Sequence, residues 1–338
     1  MLIALKGSPV AAFLAALIVA LLVTPLAKAL AWKCDALARP GGRRVHAEPV
    51  AQWGGLAIFA GVAVAALLWR QPTLVDYRML SPSGASDIVK QTQQSVHLSS
   101  TFFGCGFLVL LLGMADDKWE LPAWAKFGGQ ILIVYLMWRG NVRIRTLPFT
   151  SGTHPLLDWQ SLLFTELWVL GLMNGINFID GVDGLASGVC AIAAGSLCII
   201  EILQGATWAA AASAAVCGAC LGFLRYNFHP AKIYLGDAGA LLLGFWLATI
   251  AVSAAAKTAA ATALGVPMLV LGIPVADTLW AVIRRTMAGQ PPWKADRGHL
   301  HHRLLARGFT PVKTTLFMYA VTAALGALAI GVVWLGKK

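Results

Sequence analysis

The run VAAFLAALIVALLVTPLAKALAW, residues 10–32, decides the fold. It contains one charged side chain, Lys28, and about 20 apolar residues are enough for a helix to cross a bilayer. A cleaved signal peptide would have a shorter apolar core followed by small residues at a cleavage site. The run therefore predicts an uncleaved membrane-spanning helix.

Nine further apolar runs follow it along the chain. They lie at about 51–69, 99–115, 124–140, 158–176, 185–203, 206–224, 239–256, 262–283 and 313–335. The longest loops between them, about 70–98 and 284–312, leave no room for a soluble domain of useful size. The sequence predicts an all-α integral membrane protein of about ten transmembrane helices (ten or eleven), forming a single polytopic domain over residues 1–338.

The composition excludes a large soluble protein. Of the 338 residues 58% are hydrophobic and 12% are charged, whereas soluble domains carry about 25% charged residues. The six cysteines lie mostly within apolar runs, and their spacing matches no zinc site. We therefore predict that the cysteines are small buried apolar side chains.

The basic residues predict an orientation in the membrane. In a soluble protein the net charge of +11 would suggest nucleic-acid binding, but here the Lys and Arg residues lie in loops between apolar runs. One set of alternating loops holds fifteen of them, and the other set, with the C-terminus, holds nine. Because cytoplasmic loops carry the excess of Lys and Arg, we expect the first set to face the cytoplasm and both termini to lie outside.

The acidic residues are scarce, and several fall in the loops that we expect to face the cytoplasm. Carboxylates near span ends are costly unless they face water, a cation or a partner, so their number predicts one shared polar site. The alternative, that each marks a helix end, explains Asp296 well. It explains the neighbours Asp116 and Asp117 poorly, because adjacent like charges repel unless a cation lies between them. The members of this set are Asp116, Asp117, Asp180, Asp183, Asp237 and Asp296.

Two segments offer oxygen ligands for a cation. In GMADDK, residues 113–118, the acidic pair closes the third apolar run, and two carboxylates at a membrane edge can hold Mg²⁺, which in turn holds phosphates. In KIYLGDAG, residues 232–239, Asp237 precedes an apolar helix and could cap it or bind a metal. Tyr234 offers a ring for stacking on a base, although such a residue can also be an interfacial aromatic.

The segment NFIDGVDGL, residues 177–185, has polar side chains at every third position. Asn177, Asp180 and Asp183 therefore share one face of a helical turn, and amide and carboxylate groups together can read a base or a ribose by hydrogen bonds. An ordinary Asn/Asp/Gly turn is the alternative.

The segment DRGHLHHR, residues 296–303, contains three of the seven histidines. Zinc binding is an alternative, but no fourth ligand of suitable spacing is nearby. The flanking arginines favour a grip on a diphosphate or a sugar phosphate, and a solvated loop is the remaining interpretation.

The segment RRVH, residues 43–46, precedes the second apolar run, and Pro49 and Gly54–Gly55 follow it. A basic cluster beside a bilayer can hold anionic lipid headgroups or neutralise a lipid phosphate substrate. The electrostatics are the same, so the sequence leaves both open.

Together and in this order, the five segments resemble the polyprenyl-phosphate N-acetylhexosamine-1-phosphate transferases, and the resemblance extends from about Pro40 to Thr310. The histidine segment, continued as Leu304-Leu305 and followed by Gly308-Phe309-Thr310, is most similar to the WecA- and TagO-like branch. Transfer of phospho-MurNAc-pentapeptide is the alternative activity within the family, but that branch usually has a different histidine loop. Two departures are visible: Ala51-Gln52 replaces a Pro-Arg pair, and Trp124 replaces a basic residue, for which Lys126 is the nearby substitute.

The resemblance implies a role for each matching position. Asp116, Asp117 and Asp180 would be catalytic, and Asp237 together with Asp116 would bind the metal. The substrates would contact Arg44, His46, Asn177, Asp183, Asn227, Tyr234, Arg297, His299, His301 and His302.

The function implied is the transfer of N-acetylhexosamine-1-phosphate, by default N-acetylglucosamine-1-phosphate, from a UDP-sugar to undecaprenyl phosphate. It would need Mg²⁺, with Mn²⁺ as an alternative, and would start a cell-surface glycan at the bacterial inner membrane. A homodimer is expected by analogy, and no nucleic acid partner is expected. A transporter is the rival from another class, but it would need polar groups at mid-bilayer depth and an internal repeat. A membrane scaffold would not need the acidic segments.

Overall fold

The computed structural model describes residues 8–39, 49–68, 85–146, 155–255, 265–289 and 298–337. Apart from two short paired strands, the regular structure in these ranges is helical. The first elements are α1 (Pro9–Lys33), β1 (Leu37–Ala38), β2 (Val50–Ala51), α2 (Gly54–Leu68), α3 (Ala85–Trp119), α4 (Ala123–Arg139) and α5 (Asp158–Ile179). They are followed by α6 (Leu185–Gln204), α7 (Thr207–Asn227), α8 (Gly236–Ala255), α9 (Gly265–Val270), α10 (Gly272–Met287), α11 (Leu300–Ala306) and α12 (Pro311–Leu335).

The chain is a multi-pass membrane protein. Seven helices of the described chain are long and apolar enough to cross a bilayer, and the apolar stretch Gly54–Leu67 is shorter. The seven are α1, the His97–Trp119 part of α3, α5, α6, α7, α8 to Ala254, and α12. Each predicted run coincides with a helix or a pair of helices, so the all-α class is confirmed. Seven of these helices in the described chain have the length of a full span, and the predicted total of about ten spans stays a prediction.

Two predicted boundaries were wrong. The loop expected at 70–98 is helical from Ala85 onward. The run at 262–283 is two helices, α9 and α10, separated at Leu271. Pro274 lacks the N–H that a continuous helix would bond to the carbonyl of Val270, and its ring restricts the preceding residue, so the helix restarts at Gly272.

Small residues set the packing of the first helices. Ala12, Ala16 and Ala20 are fully buried along one face of α1. On α7, a Cβ atom added to Gly218 would clash with the backbone of Phe13. Close backbone approach at small residues is the usual way in which membrane helices associate, so α1 lies directly on α7.

The core centres on α8, which is almost completely buried. Cβ atoms added to Gly55 of α2 or Gly113 of α3 would clash with the backbone at Ala238, in the first turn of α8. The backbones of α2 and α3 therefore touch the start of α8, and this contact brings the acidic pair of α3 next to Asp237.

A short segment braces the same region. β1 and β2 pair antiparallel, with Leu37 opposite Ala51. The N–H of Tyr234 donates to the carbonyl of Ala51 (2.8 Å), and the N–H of Gly54 donates to the carbonyl of Tyr234 (3.0 Å). Trp53 donates from its indole nitrogen to the carbonyl of Met114 (3.2 Å). Through these hydrogen bonds, the segment 51–54 connects the loop that precedes α8 with the end of α3.

Candidate active site

Four helix ends bring their polar side chains together. Asp116 lies near the end of α3, Lys126 in the first turn of α4, Asn177 near the end of α5 and Asp237 at the start of α8. The ammonium of Lys126 lies 2.7 Å from Oδ2 of Asp116 and also forms an ion pair with Asp237. Asn177 donates from Nδ2 to Oδ1 of Asp237 (2.6 Å). Elements distant in the sequence therefore form one charged cluster.

Asp117 has a different task from its neighbour Asp116. Its Oδ1 accepts from the N–H of Asp237 (2.8 Å), and its Oδ2 accepts from the N–H of Ala238 (3.1 Å). Both N–H groups belong to the first turn of α8, where they have no partner within the helix. Asp117 therefore caps α8 from another helix and fixes the backbone of Asp237.

The carboxylates of Asp116 and Asp237 could hold Mg²⁺ together with phosphate oxygens and water. Both carboxylates form ion pairs with the ammonium of Lys126, which shows that this space favours a cation. Within the described ranges, no three His, Cys, Asp or Glu side chains form a metal-binding group. Mg²⁺ commonly binds through one or two carboxylates plus phosphates and water, so two are sufficient.

Asp180 follows directly after α5. Burial raises the pKa of its carboxyl group well above the usual range, and the negative charges of Asp237, Asp117 and Asp183 act in the same direction. Asp180 is therefore close in space to the charged cluster, and its environment favours a protonated carboxyl group that can donate a hydrogen bond.

Asp183 connects two loops. Its Oδ2 lies 2.8 Å from Nδ1 of His229 and accepts from the N–H of Ala231 (3.1 Å). Its backbone carbonyl accepts from the hydroxyl of Thr315 on α12 (3.3 Å). With these bonds, Asp183 stabilises the turn that contains Asp180.

Asn227 is buried, and both ends of its amide bind protein groups. Its Oδ1 accepts from the hydroxyl of Ser187 (2.7 Å), and its Nδ2 donates to the carbonyl of Ile233 (3.0 Å). This arrangement shapes the loop before α8. The loop carries Tyr234, whose side chain is partly buried.

The histidine segment packs beside the turn at Asp180. Nδ1 of His299 lies 2.8 Å from Oδ2 of Asp277, and the rings of His299 and His301 are nearly parallel at 6.1 Å. A Cβ atom added to Gly181 would lie 2.7 Å from Nε2 of His301. His302 continues the row, with its ring 4.1 Å from that of His301.

His301 is suited to contact a ligand. It is 1% exposed, and within the described chain neither ring nitrogen has a hydrogen-bond partner. Burial lowers the pKa of His301 to about 3, and the neighbouring His302 acts in the same direction. The ring is therefore neutral at physiological pH and presents one donor and one acceptor.

Three of the predicted site residues, Arg44, His46 and Arg297, lie outside the described ranges, as does Asp296. Of the remainder, Asn177 is hydrogen-bonded to Asp237, and Asp116 and Asp237 share the ammonium of Lys126.

The structure adds two residues to the candidate site. Lys126, which the sequence suggested only as a substitute for a missing basic residue, is at the centre of the charged cluster. Asp277 was missed because it lies inside the ninth apolar run, away from the loops in which acidic residues were sought. An ionisable residue within an apolar run is itself a functional signal, and it would have found Asp277.

An apolar cavity of about 350 Å³ lies next to the histidine segment. Ile273 and Trp280 of α10 and Val321 and Leu325 of α12 line it, as do the polar side chains of Asp277 and Arg303. Its chemistry suits a hydrocarbon chain with an anionic end. The charged cluster and this cavity together could serve a substrate that is partly phosphate and partly lipid.

Comparison with known proteins agrees with this chemistry. Residues 99–255 match the family described as glycosyl transferase family 4. A Bacillus subtilis protein named as a "probable undecaprenyl-phosphate N-acetylglucosaminyl 1-phosphate transferase" is 33% identical over 92% of this chain and 81% of its own. A decaprenyl-phosphate N-acetylglucosaminephosphotransferase of Mycolicibacterium smegmatis is 34% identical over 90% and 77%.

A more distant relative belongs to another branch. A phospho-N-acetylmuramoyl-pentapeptide-transferase of Moorella thermoacetica is 30% identical over 76% of this chain and 82% of its own. The chain therefore belongs to glycosyl transferase family 4, among the polyprenyl-phosphate N-acetylhexosamine-1-phosphate transferases.

Proposed function

We propose that the protein transfers N-acetylglucosamine-1-phosphate from UDP-N-acetylglucosamine to undecaprenyl phosphate and releases UMP. The observation that carries this proposal is the cluster in which Lys126 joins Asp116 and Asp237. The choice of sugar is supported by the two N-acetylglucosamine transferases, which match 92% and 90% of the chain.

The reaction brings several anions together. An oxygen of the acceptor phosphate attacks the β-phosphorus of the donor, the new P–O bond joins the two phosphates, and the bond to the oxygen of UMP breaks. Charge neutralisation and alignment are the main catalytic tasks in such a transfer. A phosphate monoester has a second pKa of about 6, so the acceptor is mostly a dianion at neutral pH and needs positioning more than a strong base.

The residues of the charged cluster divide these tasks. Asp116 orients the acceptor phosphate, and Lys126 supplies positive charge between two carboxylates. Asn177 holds Asp237 in one orientation through its 2.6 Å hydrogen bond. Asp180, whose pKa is raised, donates a hydrogen bond to a phosphate oxygen.

The proposed cofactor is Mg²⁺, with Mn²⁺ as an alternative, bound by Asp237 and Asp116. When bound, it would screen the diphosphate and stabilise the negative charge on the leaving UMP. The contact between the two carboxylates and a cation supports this assignment.

The histidine segment is proposed to bind the sugar phosphate of the donor. His301, which is neutral and has no protein hydrogen bond in the described chain, supplies one contact, and His299, His302 and Arg297 supply others. Tyr234 stacks on the uracil. Arg44 and His46 bind the acceptor phosphate, which a basic cluster beside a bilayer suits.

The membrane setting follows from the acceptor, whose isoprenoid tail is insoluble and whose phosphate lies at the interface. The apolar cavity between α10 and α12 is a candidate for part of the tail. The excess of Lys and Arg in the site-bearing loops supports a site that faces the cytoplasm of a bacterial inner membrane. The lipid product would be the first intermediate of a cell-surface glycan of the O-antigen, enterobacterial common antigen or teichoic acid type.

A donor panel with purified protein tests the proposal. The protein in detergent is given Mg²⁺, undecaprenyl phosphate and either UDP-N-acetylglucosamine, UDP-N-acetylgalactosamine or UDP-MurNAc-pentapeptide, and decaprenyl phosphate replaces the acceptor in a parallel series. We expect UMP release and a lipid product of the mass of N-acetylglucosaminyl-diphospho-undecaprenol, both abolished by EDTA. Transfer of the pentapeptide sugar alone, or no UMP release from any donor, would refute the proposal.

A further inference from the structure

Asp277 is an acidic side chain near the middle of α10 that faces the histidine segment. Its Oδ2 lies 2.8 Å from Nδ1 of His299, and its Oδ1 accepts from the N–H of Leu300 (2.9 Å). Asp277 is 8% exposed and His299 is 4% exposed. A carboxylate buried this deeply is normally paired, and here both of its oxygens bind the same short segment.

α10 holds this segment at a second point. Arg284 follows Asp277 by seven residues, about two helical turns, and therefore lies on the same face. Its guanidinium donates to the carbonyl of Gly298 (3.1 Å). The segment from Gly298 to Leu300 is thus fixed to α10 through its backbone at both ends. Asp277 also holds the ring of His299.

The ring of His299 packs beside that of His301. The two rings are nearly parallel, with 6.1 Å between centroids, and the ring of Phe178 lies 5.1 Å from that of His299. His301 in turn packs against Gly181. A rotation of the His299 ring would therefore also move the ring of His301, which lies beside the turn that contains Asp180.

We propose that Asp277 is a positioning residue, which fixes the ring of His299 and thereby places His301 for the diphosphate of the nucleotide sugar. The inference rests on the proposed function, since that function supplies the diphosphate. Asp277 does not contact the diphosphate itself; it acts on the donor through the two histidines.

The contact also selects a tautomer. A carboxylate accepts only, so Nδ1 of His299 carries the proton and Nε2 is left for other partners. In Asp277→Asn, Oδ1 can still accept from Leu300, but the amide nitrogen must face Nδ1 as a donor. The proton of a neutral ring then moves to Nε2 while the shape of the site is kept.

Kinetics test the positioning role, with Asp277→Asn as the main variant. The matched control is Glu201→Gln, which also replaces a buried acidic side chain by its amide, here one that accepts from Ser213 (2.7 Å) between α6 and α7. We expect kcat/KM for the nucleotide sugar to fall about 10- to 100-fold in Asp277→Asn, as for loss of a hydrogen bond to a charged group. KM for the polyprenyl phosphate should stay within about twofold, and Glu201→Gln should match the unmodified protein. Equal losses for both substrates would indicate general damage and would overturn the proposal.

A double-mutant cycle tests whether Asp277 acts through its histidine. If it does, Asp277→Asn should add less than about twofold to the defect of His299→Gln. Independent, multiplicative defects would contradict the proposal.

Histidine NMR tests the contact without any activity. In protein labelled with ¹⁵N-histidine, His299→Gln identifies the signals of His299 among the seven histidines. We expect protonated Nδ1 in the unmodified protein and protonated Nε2 in Asp277→Asn. An unchanged tautomer would overturn the inference even if transfer is observed, whereas a tautomer change in a protein that releases no UMP would refute the proposed function alone.

Discussion

The carboxylate of Asp117 accepts a hydrogen bond from the backbone N–H of Asp237, with 2.8 Å between Oδ1 and N. Adjacent residues of a helix point in directions about 100° apart, so Asp117 reaches the start of α8 while Asp116 reaches Lys126 (2.7 Å). The acidic pair thus combines two tasks: one carboxylate positions the backbone of Asp237, and the other faces the cation beside its side chain.

Asp117→Ala should destabilise the protein and impair turnover together. Loss of a cap lowers the free energy of unfolding by about 1–2 kcal/mol, and Asp237 is in the turn that the cap holds. Asp117→Asn keeps one acceptor oxygen, so its Tm should decrease less than that of Asp117→Ala. Melting curves in detergent measure the difference. Asp35→Ala removes an exposed ion pair with Arg39 and should change the free energy of unfolding by less than about 1 kcal/mol. If Asp117→Ala and the unmodified protein have the same Tm, Asp117 does not cap α8.

Lys126→Met should abolish UMP release and make the stability of the protein depend on Mg²⁺. Removing one partner of a partly buried ion pair costs about 3–5 kcal/mol, since Asp116 and Asp237 would then face each other without a cation. A divalent ion that binds both carboxylates would restore part of this loss. The measurement is the increase in Tm on adding Mg²⁺ without substrate, which should be larger in Lys126→Met than in the unmodified protein.

The matched control for Lys126→Met is Lys118→Met. Lys118 lies 5.4 Å from the ring of Trp119, outside the charged cluster, so its loss should change neither turnover nor the response to Mg²⁺. If Mg²⁺ raises Tm equally in all three proteins, the assignment of the metal to Asp116 and Asp237 is wrong.

The sequence predicted the helices better than their contacts. Hydrophobic length is a local property, so the apolar runs located every long helix in the described part of the chain. Contacts such as that of Asp116 with Asp237 depend on how helices pack, which residue spacing does not reveal. The repulsion argument correctly required a cation near the acidic pair, but it placed that cation between Asp116 and Asp117. In the structure Lys126 lies between Asp116 and Asp237.

The same limit applies to Asn227, for which the family resemblance implied contact with a substrate. Both ends of its amide are bound by Ser187 and Ile233, and neither contact has a signal in the sequence. A polar residue before a binding loop can serve the ligand or the loop, and only the packed neighbours distinguish the two.

Asp180→Asn should raise Tm at neutral pH while lowering turnover. The pKa of Asp180 is raised in the folded protein, so the folded state binds the proton more tightly than the unfolded state does. Ionisation therefore destabilises the fold as pH rises above the unfolded pKa of about 3.9. The amide removes this penalty, so the gain in Tm over the unmodified protein should grow as pH increases toward the folded pKa and be absent at pH 3. A gain that is the same at every pH would contradict the raised pKa.

Gly181→Ala should reduce turnover with little effect on folding. The added Cβ atom would lie 2.7 Å from Nε2 of His301, closer than Cβ contacts occur, so the buried ring must move away from the turn of Asp180. We expect kcat/KM for the nucleotide sugar to fall at least about tenfold, equivalent to 1.4 kcal/mol. Gly171→Ala is the control, because a Cβ atom there, on the helix α5 that precedes this turn, meets nothing within 4 Å. That substitution should leave turnover unchanged and stabilise the helix by roughly 0.5–1 kcal/mol. Unimpaired transfer by Gly181→Ala would show that the position of His301 does not matter to the reaction.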